Sequence, residues 1–162
     1  MSQTLDTNVL LYASNDGAPE QERALALLRH LVAGPDLVVL LWPALIGYLR
    51  IATHPAVFAR PLSHADAVAN LDQLMSHPHM RVAGEHERFW SIYQQVTTET
   101  PARANGVPDA HLVALMLEHG ISTIWSRDRD FLKYPMIQAE DPFSDRYRHG
   151  FDRRPPTPKR RR

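Results

Sequence analysis

Cysteine is absent from the 162 residues, so neither a disulfide framework nor a thiolate metal site can form. That absence fits a reducing cytoplasm, the compartment expected here. Long apolar runs are lacking as well. The longest, Leu37 to Leu49, contains Pro43 and Gly47 and is too short to cross a bilayer, so it reads as a buried strand leading into a buried helix. No basic stretch followed by an apolar segment and a small-residue cleavage site opens the chain, and a soluble protein without a membrane role is expected. Internal repeats are missing. Net charge is missing too, with 18 basic and 18 acidic residues, but their distribution is uneven. Residues 1–145 carry ten basic and seventeen acidic groups, whereas 146–162 carry eight basic groups and one acid. An acidic body of this kind would need metal cations or local basic side chains to bind any nucleic acid, because phosphate attraction dominates such affinity.

The length suits one domain with a real core. Gln3 to Asp6 is strand-like and runs into the apolar stretch Asn8–Ala13. Leu25, Leu28, Leu31 and Val32 have helical spacing within 20–32, and Gly34-Pro35 ends that helix. Leu37 to Leu41 has the apolar, β-branched-containing composition of a strand buried on both faces. Pro43 suits the first turn of a helix reaching about Thr53. Ser63 is placed to N-cap a helix through Met75, with Asp66 in the capping-box position. A further helix is expected over 85–98, another from Pro108 to His119 closed by Gly120, and a short strand from Ile121 to Trp125. Short strands alternating with helices point to an α/β fold with a parallel sheet. Residues 1–143 are expected to form the domain. Residues 144–162, rich in Pro and Arg, are expected to be a disordered basic tail, either passive or an RNA-binding arm.

In open parallel α/β sheets, ligands lie beyond the carboxyl ends of the strands. Three acids fall there. Asp6 closes the first strand, Asp109 opens a helix after Pro108, and Asp128 follows the strand ending at Trp125. Each acid alone has an ordinary explanation, as a turn residue or as a charge favoured at a helix N-terminus. Together, at three strand or helix ends, they suit a hard divalent cation bound through carboxylates and water. Clustered carboxylates repel one another, so their proximity makes sense mainly when a cation neutralises them.

The segments around these acids resemble the PIN-domain family. Leu5-Asp6-Thr7-Asn8-Val9-Leu10-Leu11-Tyr12-Ala13 is similar to its opening motif. Pro108-Asp109-Ala110-His111-Leu112 with Glu118-His119-Gly120 is similar to its third-acid helix, and Ser126-Arg127-Asp128-Arg129-Asp130-Phe131 to its Thr-x-Asp-x-Asp-Phe element. Leu49-Arg50-Ile51-Ala52-Thr53-His54-Pro55, Val57-Phe58 and Pro61-Leu62-Ser63 resemble the middle of the VapC toxin branch. Each motif alone is weak, whereas four in register over roughly residues 3–140 are specific.

The resemblance implies a three-layer α/β/α sandwich around a mainly parallel sheet, and a magnesium-dependent endoribonuclease acting as the toxin of a toxin–antitoxin pair. Mg²⁺, with Mn²⁺ as a substitute, would be held by Asp6, Asp109 and Asp128, with Asp130 as a weaker ligand, and would activate the water that attacks phosphorus. Asn8 and Ser126 would orient the carboxylates through hydrogen bonds. Arg50, Arg127 and Arg129 would contact phosphate, unless they serve in surface or structural ion pairs. Structured RNA, a cognate antitoxin and a second copy of the chain are the implied partners. One departure stands out: the glutamate common on the second helix, three residues before Arg50, is here Gly47, which favours one tightly held ion over two or means weakened catalysis. That leaves, as the alternative, a PIN module that binds RNA or a partner without cutting. His111, beside Asp109, reads as a surface or packing residue rather than a ligand. A phosphotransferase of the haloacid dehalogenase type would need a second aspartate where Asn8 stands, and is set aside.

Overall fold

The apolar runs of the sequence become the centre of a five-stranded, wholly parallel sheet in the computed structural model, which describes residues 1–151. In chain order the elements are β1 (Ser2–Leu5), α1 (Thr7–Ser14), α2 (Gln21–Ala33), β2 (Leu37–Leu41), α3 (Trp42–Ala52), α4 (His64–Met75), β3 (Met80–Ala83), α5 (Phe89–Glu99), α6 (Gly106–Glu118), β4 (Thr123–Trp125) and β5 (Gln138–Glu140). Short 3₁₀ turns occupy Arg129–Lys133 and Asp145–Tyr147. The strand order is β3-β2-β1-β4-β5, so β1 lies in the middle and β3 and β5 are the edges.

Alternation along the strands sends side chains to two cores. Leu5, Val38, Leu40 and Trp125 face a layer that includes Val9 and Leu10 of α1, Leu27 of α2, Tyr48 of α3 and Leu71 of α4. Val39, Leu41 and Ile124 face Val96 of α5 and Leu112, Val113, Leu115 and Met116 of α6. This is the expected α/β/α sandwich. Its central strands are buried on both faces, which is why they read as continuous apolar runs. Among the described residues no helix is long and apolar enough to cross a membrane.

Three local devices set the helix ends that matter. Asp6 is the N-cap of α1, its carboxylate accepting the Thr7 N–H at 2.7 Å. Ser63 caps α4 by accepting the Asp66 N–H at 3.0 Å, and its hydroxyl donates to the Asp66 carboxylate at 2.7 Å. Gly120, at φ +64°, ends α6 in the left-handed region that a residue with a Cβ rarely adopts.

Packing against the sheet continues beyond residue 143. Tyr147 is buried, and Phe151 stacks on it with ring centres 5.2 Å apart. Both rings pack edge-on against Trp125, at 5.1 and 5.7 Å. Aromatic burial holds the segment to 151 against the sheet, and Glu140 fixes it by accepting from Tyr147 Oη at 2.8 Å and from Arg146 at 3.1 Å. The rest of the expected basic tail, 152–162, lies outside the described residues.

Candidate metal centre

The carboxyl ends of β1 and β4 are neighbours, because Leu5 pairs with Trp125 in the parallel register. The next residue of each strand, Asp6 and Ser126, therefore meet. Ser126 is buried, and its hydroxyl donates to Asp6 Oδ2 at 2.6 Å. Its oxygen also accepts the Asp128 N–H at 2.9 Å and an Asn8 amide proton at 3.0 Å. Asn8 donates a second bond to Asp6 Oδ2 at 2.7 Å and accepts the Arg127 N–H at 3.3 Å. Asp128 in turn caps the 3₁₀ turn by accepting the Asp130 N–H at 2.8 Å. One hydroxyl and one amide thus tie the two strand ends and the acidic loop into one hydrogen-bonded unit.

Asp109 arrives from the other side on the first turn of α6. One carboxylate oxygen from each of Asp109, Asp128 and Asp130 lies within 4.8 Å of the other two. Ligands of a Mg²⁺ stand roughly 3 to 4 Å apart, so these three residues are the ones that would hold such an ion. The donors are all hard oxygens, the class that Mg²⁺ and Mn²⁺ prefer. Asp6 stands beside this trio rather than within it. Both its oxygens are engaged by Thr7, Asn8 and Ser126.

The electrostatics report the crowding. Burial and then the charges of Asp128 and Asp6 push the Asp109 carboxyl up to about 6, with Asp130 adding to the rise and the Lys133 ammonium opposing it. Burial also raises Asp6, and the Asp128 charge adds to that, against the hydrogen bonds from Ser126 and Thr7. Asp6 and Asp109, both pushed towards the neutral form beside Asp128 and Asp130, mark a site short of positive charge, which a divalent cation would supply.

The arginines divide. Arg127 is committed: it bonds to Glu20, donates to Tyr12 Oη at 3.2 Å, and lies over the Tyr12 and Phe143 rings at 5.5 and 5.6 Å. This bond keeps the Glu20 carboxyl below its ordinary range. Arg50 and Arg129 are exposed. His111 is bonded to Glu85 and packs on Phe89 at 5.1 Å, in keeping with its reading as a packing residue. Gly47 has a structural reason: a Cβ there would come within 2.9 Å of Thr7 Oγ1, and Thr7 is held by donating to the Ala44 carbonyl at 3.0 Å. Thr7, next to Asp6, fills the space that a larger residue at 47 would need.

Sequence reasoning missed Lys133 and Tyr134. The Lys133 ammonium bears on Asp109. The Tyr134 hydroxyl is buried and has no hydrogen-bond partner among the described residues, and its proton is held up to about 12 by burial and then by the Asp109 charge. The one available signal was position, since both residues follow closely on the acidic Asp128–Asp130 segment.

Comparison with known proteins identifies the family and the fold. The PIN domain profile matches residues 4–136. Ribonuclease VapC48 of Mycobacterium tuberculosis is 49% identical over 144 residues, covering 89% of this chain and 99% of its own length. Ribonuclease VapC37 of the same organism is 32% identical over 138 residues, covering 85% of this chain and 95% of its own. Among solved structures, VapBC2 from Rickettsia felis bound to a promoter DNA fragment superposes with a TM-score of 0.64 at 15% identity, covering 86% of this chain and 98% of that one. The sarcin-ricin-loop-cleaving toxin VapC20 of Mycobacterium tuberculosis gives 0.62 at 19% identity, covering 84% and 97%. At those identities the structures speak for the fold alone. The profile and the sequence relatives settle the family: this chain belongs to the PIN-domain family, in its VapC branch.

Proposed function

We propose that this protein is a Mg²⁺-dependent endoribonuclease, with Mn²⁺ as a substitute ion, acting as the toxin of a toxin–antitoxin pair. The observation that carries the reading is the convergence of Asp109, Asp128 and Asp130 beside Asp6 at the carboxyl end of the parallel sheet. Asp109, Asp128 and Asp130 would hold the ion, with Asp6 at its flank. A bound cation supplies Lewis-acid charge to the phosphate oxygens and to the attacking water. The chain's own residues do the rest. Ser126 and Asn8 fix the Asp6 carboxylate and the loop carrying Asp128, which removes the freedom those acids would otherwise lose on reaction. Exposed Arg50 and Arg129 would contact phosphates, whereas Arg127 holds its loop to Tyr12 and Glu20.

A cognate antitoxin is the proposed partner, by analogy with the VapBC2 complex and with a toxin–antitoxin complex from Klebsiella pneumoniae that superposes with a TM-score of 0.57. Structured RNA such as tRNA or rRNA is the proposed substrate, and a homodimer the proposed assembly. The decisive assay incubates purified protein with total bacterial RNA in Mg²⁺ or in excess chelator. Cleavage is expected in Mg²⁺ alone, and Asp6→Asn, Asp109→Asn and Asp128→Asn are each expected to abolish it while the fold persists by circular dichroism. Cleavage in chelator, or full activity in all three variants, overturns the proposal.

A further inference from the structure

We infer that the ammonium group of Lys133 is a substrate-binding group of this site, holding a phosphate oxygen of the RNA strand beside Asp109. The inference rests on the nuclease reading above and names a residue which that reading does not use. Lys133 closes the 3₁₀ turn that follows Asp128 and Asp130. Its neighbours Phe131 and Tyr134 are each 1% exposed, so the turn is pinned into the core while Lys133 itself stays exposed. The side chain lies along the buried Tyr134 ring, with Nζ 5.4 Å from the ring centre. Nζ is also 3.7 Å from the point where a Cβ at Gly106 would sit. Gly106 is the first residue of α6, three before Asp109, so the ammonium stands over the turn that presents that carboxylate.

Two features separate this group from a charge that merely balances the acids. Lys133 makes no hydrogen bond or ion pair among the described residues, although its charge reaches Asp109. Arg127, by contrast, is spent on Glu20 and Tyr12. A compact ammonium with three uncommitted donors, at the rim of a site made of carboxylates, suits a tetrahedral phosphate oxygen. An acidic centre that must accept a polyanion needs such a group, because the bound ion addresses only the oxygens it touches.

The test compares wild-type protein, Lys133→Ala and Lys133→Arg. In Mg²⁺, with total bacterial RNA at limiting concentration, Lys133→Ala is expected to cut about tenfold more slowly or worse, with an unchanged melting temperature. In excess chelator, binding to a short, labelled single-stranded oligoribonucleotide of mixed sequence is measured against salt. There the alanine variant is expected to lose about 0.7 from the slope of log affinity against log salt, the share of one phosphate contact. Lys133→Arg is expected to restore both. An unchanged salt slope overturns the proposal, whether or not cleavage falls; a lower melting temperature with an unchanged slope assigns Lys133 to balancing the carboxylates. If the wild-type protein does not cut RNA at all, the nuclease reading fails, and the salt slope still decides the role of Lys133.

Discussion

Asp109 and Gly47 show at single-residue scale what this site demands of its surroundings. The Asp109 carboxyl is raised from 3.8 to about 6, so the folded protein takes up that proton more readily than the unfolded chain. Ionised Asp109 therefore weakens the metal-free fold at neutral pH, and the penalty lifts as the pH falls through about 6. In excess chelator the melting temperature is expected to rise as the pH is lowered through that value, and Mg²⁺ at neutral pH is expected to raise it as well; a flat profile in both series would count against the carboxylate crowding. Gly47 is a test of packing. A Gly→Ala exchange inside a helix ordinarily gains about 1 kcal/mol. Here the new methyl would press on Thr7 Oγ1, with an overpacking cost of about 1–3 kcal/mol and disturbance of the bond to Ala44. Gly47→Ala is expected to destabilise by about 1 kcal/mol in the wild-type background, and to stabilise once Thr7→Ala has removed the obstacle. Denaturant melts of the four proteins in that cycle check the change of sign. A glutamate at 47 meets the same obstacle, so the glycine has a packing role against Thr7 here.

Among the elements, what was legible follows from how many neighbours each one has. The central strands β1, β2 and β4 are covered on both faces, so burial forces apolar composition on them and the sequence displays it. The strands β3 and β5 escaped notice because they are edges, and Arg81, Gln138 and Glu140 break any apolar run. Helix α1 is not assigned by period, since a short run of Val9, Leu10 and Leu11 does not separate helix from strand. The cue is Asp6 itself, an N-cap residue type directly before the apolar run. Helix α5 begins at Phe89 rather than 85, because Glu85 is drawn to His111 and the His86 N–H donates to Glu118 at 3.0 Å. The cap of α4 was readable in full from Ser63 and Asp66. Ser63→Ala is accordingly expected to cost about 1 kcal/mol of stability and to leave RNA cleavage unchanged, since α4 contributes nothing to the acidic centre. Thermal melts and the cleavage assay on one preparation check both halves.

Over the whole molecule, acidic and basic residues are segregated along the chain, and the fold decides where that segregation can be tested. Cutting at 146 would remove the whole basic segment but would also remove Tyr147 and Phe151, uncover Trp125, and strip Glu140 of Tyr147 and Arg146. Loss of a buried aromatic and of the partners of a buried carboxylate costs about 3–5 kcal/mol, enough to confuse any binding measurement. Cutting after Phe151 spares that packing and removes six basic residues and one acid. This shorter form is expected to melt at the wild-type temperature, whereas the form ending at 145 is expected to melt well below it. Binding to a single-stranded oligoribonucleotide in chelator then isolates the basic residues. If they supply roughly three phosphate contacts, the slope of log affinity against log salt becomes shallower by about 2 in the form ending at Phe151. An unchanged affinity and slope would reject an RNA-binding arm and leave the acidic body to depend on the proposed divalent cation and on its own exposed basic side chains. A rise in cleavage on truncation would instead mean that the arginine-rich residues compete with RNA for the carboxylates.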